Sequence, residues 1–215
     1  MTSEDPHLGQ PILHYGAPFE EARAAIVMLH GRGANARDIL GLADAIGVQD
    51  VACVAPDARS NTWYPYSFLA PIEQNEPWLS SALAFVARVH EQVRAAGIPP
   101  ERTVLLGFSQ GACLTLEFTA RNPARYGGVA ALTGGLIGPD GTPRDYAGSL
   151  EGTPIFIGSS DPDPHIPVQR VHESAEVLTR MGASVTTRIY PGMGHTVSDD
   201  EIRHVRALLA EVLAS

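Results

Sequence analysis

The chain alternates short apolar runs rich in β-branched residues with longer segments whose apolar residues recur at helical spacing. Such alternation is typical of βαβ units, in which helices cover both faces of a mostly parallel sheet. The pattern predicts one α/β domain over residues 1–215. Its expected helices span 36–46, 79–96, 110–121, 167–181 and 199–213, and its expected strands span 12–15, 25–29, 52–55, 103–106, 128–132, 154–157 and 185–190.

Two longer segments interrupt this alternation, 55–77 and the polar, Gly/Pro-rich 134–152. Long loops in compact domains often carry function. The first of them is a candidate substrate pocket wall because it contains four aromatic side chains. Packing that holds a long loop in place would use the same residues, so both roles stay open for Trp63, Tyr64, Tyr66 and Phe68.

All 15 basic residues of the chain are arginine, because it contains no lysine. This excludes sites that need a lysine amine, such as Schiff-base and pyridoxal phosphate anchors, Walker A loops and Ser-x-x-Lys hydrolases. The formal charge of −9 repels phosphate backbones and anionic lipid surfaces. Nucleic acid is therefore not expected as a partner.

The cysteines and the N-terminus bear on compartment. Cys53 and Cys113 each lie in an apolar run, the usual setting of a buried thiol, so no disulfide framework is expected. Residues 1–6 are polar and acidic, unlike a secretory leader, and no apolar stretch reaches the roughly 18 residues of a membrane span. We expect a cytoplasmic protein without stable membrane insertion; a homodimer is compatible with the sequence.

The segment Gly107-Phe-Ser-Gln-Gly111 has the form Gly-x-Ser-x-Gly, with an apolar strand before it and a helix after it. This context is typical of a nucleophile elbow, where flanking side chains would collide with neighbouring backbone. The elbow raises the serine above the sheet, and the helix N-terminus beneath it favours developing negative charge. Ser109 is therefore the candidate nucleophile.

A serine hydroxyl needs a general base, and that base needs a group to hold its tautomer. His195 lies in a glycine-rich loop between the last expected strand and the last expected helix, which makes it the candidate base. The remaining histidines have settings that favour structural or exposed roles: His7, His14, His30, His90, His165, His172 and His204.

The acid is expected in the loop that follows the strand 154–157, where two aspartates compete. Asp163 begins a proline-studded run that would fix its backbone, and it is preferred over Asp161, which lies three residues after Gly158. The chain order serine, aspartate, histidine is that of α/β-hydrolases. A metal site formed by these aspartates with His165 lacks a further ligand cluster nearby, so no metal is expected.

Two backbone N–H groups are needed to hold an oxyanion, one from the residue after the nucleophile and one from the turn after an early strand. Gln110 and Arg32 occupy these positions, the latter in Leu29-His-Gly-Arg-Gly33. The guanidinium of Arg32 has two open roles, holding a surface loop or attracting an anionic substrate group at the pocket mouth.

Over nearly its whole length the sequence resembles the phospholipase/carboxylesterase, or acyl-protein-thioesterase-like, branch of the α/β-hydrolases. The resemblance implies Ser109 as nucleophile, Asp163 as orienting acid and His195 as base. The commoner family pattern is Gly-x-x-Asp, and this sequence has two extra residues between Gly158 and Asp163. Asp161 therefore stays open as the alternative acid. The loop 63–78 also departs from the usual thioesterase segment, so an acyl-protein substrate is not implied. The motifs are Leu29-His-Gly-Arg-Gly33, Ala55-Pro-Asp57, Thr62-Trp-Tyr64, Gly107-Phe-Ser-Gln-Gly111, Asp163-Pro-His-Ile-Pro167 and Gly192-Met-Gly-His195.

These features together predict an α/β-hydrolase fold, with a mostly parallel central sheet flanked by helices on both faces. The expected function is that of a serine hydrolase that cleaves small-molecule carboxylic esters or thioesters through an acyl-enzyme, without a cofactor. Two alternatives stay open: a ligand-binding α/β-hydrolase with little turnover, and a peptidase or perhydrolase on the same fold.

Overall fold

The computed structural model describes residues 5–215 and contains a seven-stranded sheet, with every predicted strand present. The strands are β1 (Ile12–Gly16), β2 (Ala24–Leu29), β3 (Val51–Pro56), β4 (Thr103–Phe108), β5 (Gly128–Leu132), β6 (Pro154–Asp161) and β7 (Ser184–Pro191). Their order is β1-β3-β2-β4-β5-β6-β7, and all neighbours are parallel except β1 and β3, which are antiparallel. The prediction of a mostly parallel α/β-hydrolase sheet is confirmed.

The helices are α1 (Ala36–Leu40), α2 (Ala43–Ile46), α3 (Trp78–Ala95), α4 (Gln110–Arg121), α5 (Val168–Arg180) and α6 (Asp199–Ala214). The expectation of one helix over 36–46 was wrong. The N–H of Gly41 bonds to the carbonyl of Asp38 as well as that of Arg37, and Leu42 bonds to Ile39, three residues back. This tighter i−3 bonding breaks the α-helical ladder and separates α1 from α2.

The sheet has an apolar core on each face. One face packs against α3, α4 and α5, and the other against α1, α2 and α6. Every residue of the strands β2 and β3 is buried, as is every residue of β5. This two-sided burial explains why these strands are apolar throughout rather than alternating.

The parallel strands bring four loops to one edge of the sheet. Leu29 at the end of β2 pairs with Gly107 in β4, Phe108 with Leu132, and Asp161 at the end of β6 with Pro191. The loops that follow β2, β4, β6 and β7 therefore start side by side, although they are far apart in the chain. A site at this edge has a rigid support.

The structure also bears on the expectations about membrane insertion and disulfides. No helix within residues 5–215 is long and apolar enough to cross a membrane. Cys53 and Cys113 are both buried and free. Residues 1–4, part of the polar terminus that argued against a secretory leader, lie outside the described residues.

Candidate active site

Ser109 lies between β4 and α4 with a backbone φ of 55° and ψ of −119°, a conformation that a non-glycine residue adopts only under strain. The flanking glycines permit this turn. A Cβ on Gly107 would lie 2.3 Å from the carbonyl oxygen of Gly111, and one on Gly111 would lie 2.1 Å from that of Leu29. The strand-to-helix elbow thus requires both glycines, and it lifts the serine above the end of the sheet.

His195 follows β7, and its imidazole reaches the serine. Its Nε2 lies 2.8 Å from Ser109 Oγ, although 86 residues separate the two in sequence. The loop is held from β6, because Gly194 N–H donates to Ser160 Oγ at 3.0 Å. The histidine side chain is 20% exposed, so solvent can reach its ring beside Ser109.

Asp163 lies on the far side of the histidine, where its Oδ2 accepts from Nδ1 at 2.9 Å. Its Oδ1 accepts from the backbone N–H groups of His165 at 2.8 Å and Ile166 at 2.9 Å. Burial opposes ionisation of this carboxyl, but these three hydrogen bonds outweigh it, so the pKa of Asp163 lies below its ordinary value. The group is thus a fully enclosed carboxylate that fixes the histidine ring.

The structure separates the two competing aspartates. Asp161 is the last residue of β6, and it is exposed. It takes part in the site only through its backbone, because its carbonyl accepts from Gly192 N–H at 3.0 Å. Within residues 5–215, no group of three His, Cys, Asp or Glu side chains is arranged to hold a metal ion.

The turn after β2 passes directly beside the elbow. A Cβ on Gly31 would lie 3.4 Å from Ser109 Cβ and 3.2 Å from the ring of Phe108. Arg32 follows in this turn, and Gln110 is the first residue of α4. Neither backbone N–H donates to another group within residues 5–215, so both remain available to an oxygen at Ser109.

His30 supports this turn, a role that the sequence reasoning did not assign to it. Its Nδ1 lies 2.8 Å from the carbonyl oxygen of Gly31, and its Nε2 accepts from Ala58 N–H at 3.0 Å. The second contact places the ring proton on Nδ1. Burial lowers the pKa of His30, which favours this neutral, bridging form.

The side chain of Gln110 fastens the aromatic loop to the elbow, which sequence reasoning also missed. Its Nε2 donates to the carbonyl of Tyr64 at 2.7 Å, and its Oε1 accepts from Trp63 N–H at 2.9 Å. A glutamine both donates and accepts, so one side chain satisfies two facing backbone groups. The loop wall and the nucleophile are thereby held in a fixed relation.

A cavity of about 390 Å³ opens beside Ser109 and His195. Of the four aromatic residues expected as walls, Tyr64, Tyr66 and Phe68 line it. Trp63 does not. It is fully buried beneath the loop, where its indole N–H donates to the carbonyl of His30 at 2.8 Å. Of the two roles that the sequence left open for Trp63, this position favours packing that supports the loop over a place in the cavity wall.

The Arg32 side chain also reaches the cavity. Its guanidinium donates to the carbonyls of Pro65 at 2.6 Å and Tyr66 at 2.5 Å, and lies 6.0 Å from the ring centroid of Tyr64. It is a cavity-lining group as well as a loop contact. The loop contact is thus present, and attraction of an anionic substrate group stays a prediction.

Comparison with known proteins places this chain in a family. The sequence pattern of the Phospholipase/Carboxylesterase family matches residues 15–213. The chain belongs to the phospholipase/carboxylesterase family. Membership makes it a hydrolase with the α/β-hydrolase fold, as the sequence predicted.

Among solved structures of the family, a phospholipase/carboxylesterase from Dyadobacter fermentans DSM 18053 is 48% identical, with a TM-score of 0.90 over 94% of this chain and 97% of that one. Acyl-protein thioesterase 1 of Saccharomyces cerevisiae is 26% identical over 94% of this chain and 99% of its own length. Acyl-protein thioesterase 1 of Gibberella zeae is 33% identical over 55% of this chain, and the match spans about half, 51%, of that protein.

Proposed function

We propose that this hydrolase cleaves carboxylic esters or thioesters of small molecules through a Ser109–His195–Asp163 triad and an acyl-enzyme. The observation that carries the proposal is the hydrogen-bonded chain from Ser109 Oγ to His195 Nε2 and from His195 Nδ1 to Asp163, beside a cavity. The family relatives named as thioesterases support the same reaction class.

In the acylation step, Ser109 Oγ attacks the carbonyl carbon of the substrate while His195 Nε2 takes the hydroxyl proton. The imidazolium that forms keeps its Nδ1–H on Asp163, whose ionised form stabilises the positive charge. His195 then gives the proton from Nε2 to the departing alkoxide or thiolate. The same histidine deprotonates a water molecule, which attacks the acyl-enzyme and frees Ser109.

The backbone N–H groups of Arg32 and Gln110 hold the oxyanion of each tetrahedral intermediate. Loss of one such donor typically costs about 10²–10³ in kcat. Because these donors belong to the backbone, that of Gln110 depends on the elbow before α4, and that of Arg32 depends on the path of the turn after β2, which His30 and Gly31 maintain. Tyr64, Tyr66 and Phe68 supply the apolar wall for the substrate.

Substitution of the nucleophile tests the proposal. We expect Ser109→Ala to lower kcat on p-nitrophenyl butyrate by at least ~10³-fold with the thermal unfolding midpoint nearly unchanged. A fluorophosphonate probe should label the parent and miss the variant.

Ser80→Ala, on the exposed side of α3, is the matched control and should behave as the parent. Equal labelling of Ser109→Ala and the parent would remove Ser109 from the mechanism. Binding of esters by the parent without repeated turnover would favour a ligand-binding role instead. Rates of hydrolysis of acetate esters and acetyl thioesters, measured in parallel assays, would rank alcohol and thiol leaving groups.

A further inference from the structure

The cavity beside Ser109 is lined by a positively charged side chain and by no negatively charged one among the described residues. Among the described residues that line it, no aspartate or glutamate is present, and Arg32 is the one arginine. We propose that the Arg32 guanidinium selects esters or thioesters that carry a carboxylate. This inference rests on the proposed hydrolysis at Ser109 and names its substrate class.

The partners of Arg32 leave its charge uncompensated. Both acceptors, the carbonyl oxygens of Pro65 and Tyr66, are neutral. A guanidinium has five N–H donors, so two bonds leave three that donate to no group within residues 5–215. Within residues 5–215, no carboxylate lies within 4.0 Å of Arg32.

Buried arginines elsewhere in the chain are neutralised. Arg170, whose side chain is 2% exposed, bonds to Glu173 at 2.8 Å and to Asp140 at 2.7 Å. Arg144, 6% exposed, lies 3.4 Å from Glu173 and 3.8 Å from Glu117. These two buried arginines are thus paired with acids, whereas Arg32, an exposed residue that lines the cavity, is bonded only to neutral carbonyls.

The carboxylate of Asp163 is enclosed on the far side of His195 and is not among the residues that line the cavity. Asp163 has no exposed side-chain surface, lies behind His195, and uses both oxygens in hydrogen bonds. The chain as a whole, with a formal net charge of −9, repels anions at long range. An anionic substrate therefore gains from Arg32 an attraction that a neutral one does not, and the planar guanidinium suits a carboxylate.

The test uses two matched substrate pairs, since the carboxylate can belong to either half of the ester. The acyl pair is the p-nitrophenyl half-ester of adipic acid and p-nitrophenyl heptanoate. The leaving-group pair is 4-carboxyphenyl butyrate and 4-carbamoylphenyl butyrate. For each pair, the ratio of kcat/KM for the acidic to the neutral ester is measured in the parent and in variants, so that intrinsic reactivity cancels between proteins.

Arg32→Met keeps an unbranched apolar stem and removes the charged guanidinium, and Arg32→Lys keeps the charge without the planar fork. We expect Arg32→Met to lower the ratio about two- to five-fold in at least one pair, because Arg32 is exposed and water weakens an ion pair at such a position. Arg32→Lys should retain part of the preference. Raising the salt concentration should reduce the parent's ratio and leave that of Arg32→Met unchanged.

Arg23→Met is the control for the change in net charge. Arg23 precedes β2 at the opposite edge of the sheet, where it too donates to a carbonyl, that of Leu213 at 2.6 Å. This variant should keep the parent's ratio. If Arg32→Met lowers both members of each pair equally while the parent hydrolyses neutral esters, Arg32 only holds the loop and the inference fails. If the parent hydrolyses none of the four esters, the proposed function fails with it.

Discussion

Replacing Asp163 by asparagine changes one atom and should reverse the tautomer of His195. The carboxylate now accepts three N–H donors, from His195 on one oxygen and from the backbone of His165 and Ile166 on the other. An asparagine has one acceptor oxygen and one NH₂ group. If the oxygen keeps the two backbone donors, the NH₂ faces Nδ1, which must then lose its proton.

The backbone contacts decide which way the amide turns. The opposite orientation would point NH₂ at two N–H donors and lose both hydrogen bonds, at a cost of about 1–3 kcal/mol. In the favoured form of Asp163→Asn, His195 therefore carries its proton on Nε2. This nitrogen faces Ser109 Oγ, and once protonated it cannot accept the serine proton. Together with the lost charge, this should lower kcat by up to about 10⁴, or roughly 5.5 kcal/mol.

The assay is steady-state hydrolysis of p-nitrophenyl butyrate by Asp163→Asn and Asp161→Asn, each with its thermal unfolding midpoint. Asp161 is exposed and contributes only its backbone, so its variant should stay within a few-fold of the parent. A larger loss in Asp161→Asn than in Asp163→Asn would refute the assignment of the acid, because it would reverse the order that the hydrogen bonds dictate.

The remaining predictions concern the supports of the site. Gly111→Ala should cost about 3 kcal/mol of stability and most of the activity, because its Cβ would meet the carbonyl of Leu29 at 2.1 Å, whereas Gly33→Ala, in open space at φ +80°, should cost only about 1–2 kcal/mol by denaturant unfolding. Burial raises the pKa of Glu201 above its ordinary 4.5. Its contribution to stability is therefore greatest below that value and falls as pH rises through the raised pKa. Melting curves should show the stability of Glu201→Gln relative to the parent increasing from pH 4.5 to pH 8; a constant difference would contradict the shift.

Much of the fold could be predicted because it depends on local pattern. Strands buried on both faces are apolar throughout, so their sequences identify them. The elbow is identified by Gly107 and Gly111, which its backbone requires and which lie within one five-residue motif. The choice between Asp161 and Asp163 could not be derived from spacing alone. It depends on the turn in which Asp163 collects two backbone N–H groups while Asp161 ends a strand, which is a three-dimensional property.

The roles that the sequence left open or missed share a cause: each depends on contacts with residues that are far away in the sequence. The sequence left the role of Trp63 open between pocket wall and loop packing, because an aromatic residue in a loop carries no sign of which side it faces. His7 was grouped with the histidines expected to have structural or exposed roles, and it is fully buried and packs against Trp63, Trp78 and Phe85. Gln110 was named for its backbone alone, because the partners of its side chain lie 46 and 47 residues away.

The aromatic loop is attached to the catalytic centre through its main chain. Gln110 and Arg32 hold the carbonyls of Tyr64, Pro65 and Tyr66. Every amino acid supplies a carbonyl, so these anchors place little restriction on which side chains the loop carries. Substrate preference can thus evolve, or be engineered, by randomising Tyr66 and its neighbours while the hydrolytic machinery keeps its geometry. The wall and the reaction centre are separately adjustable parts of one site.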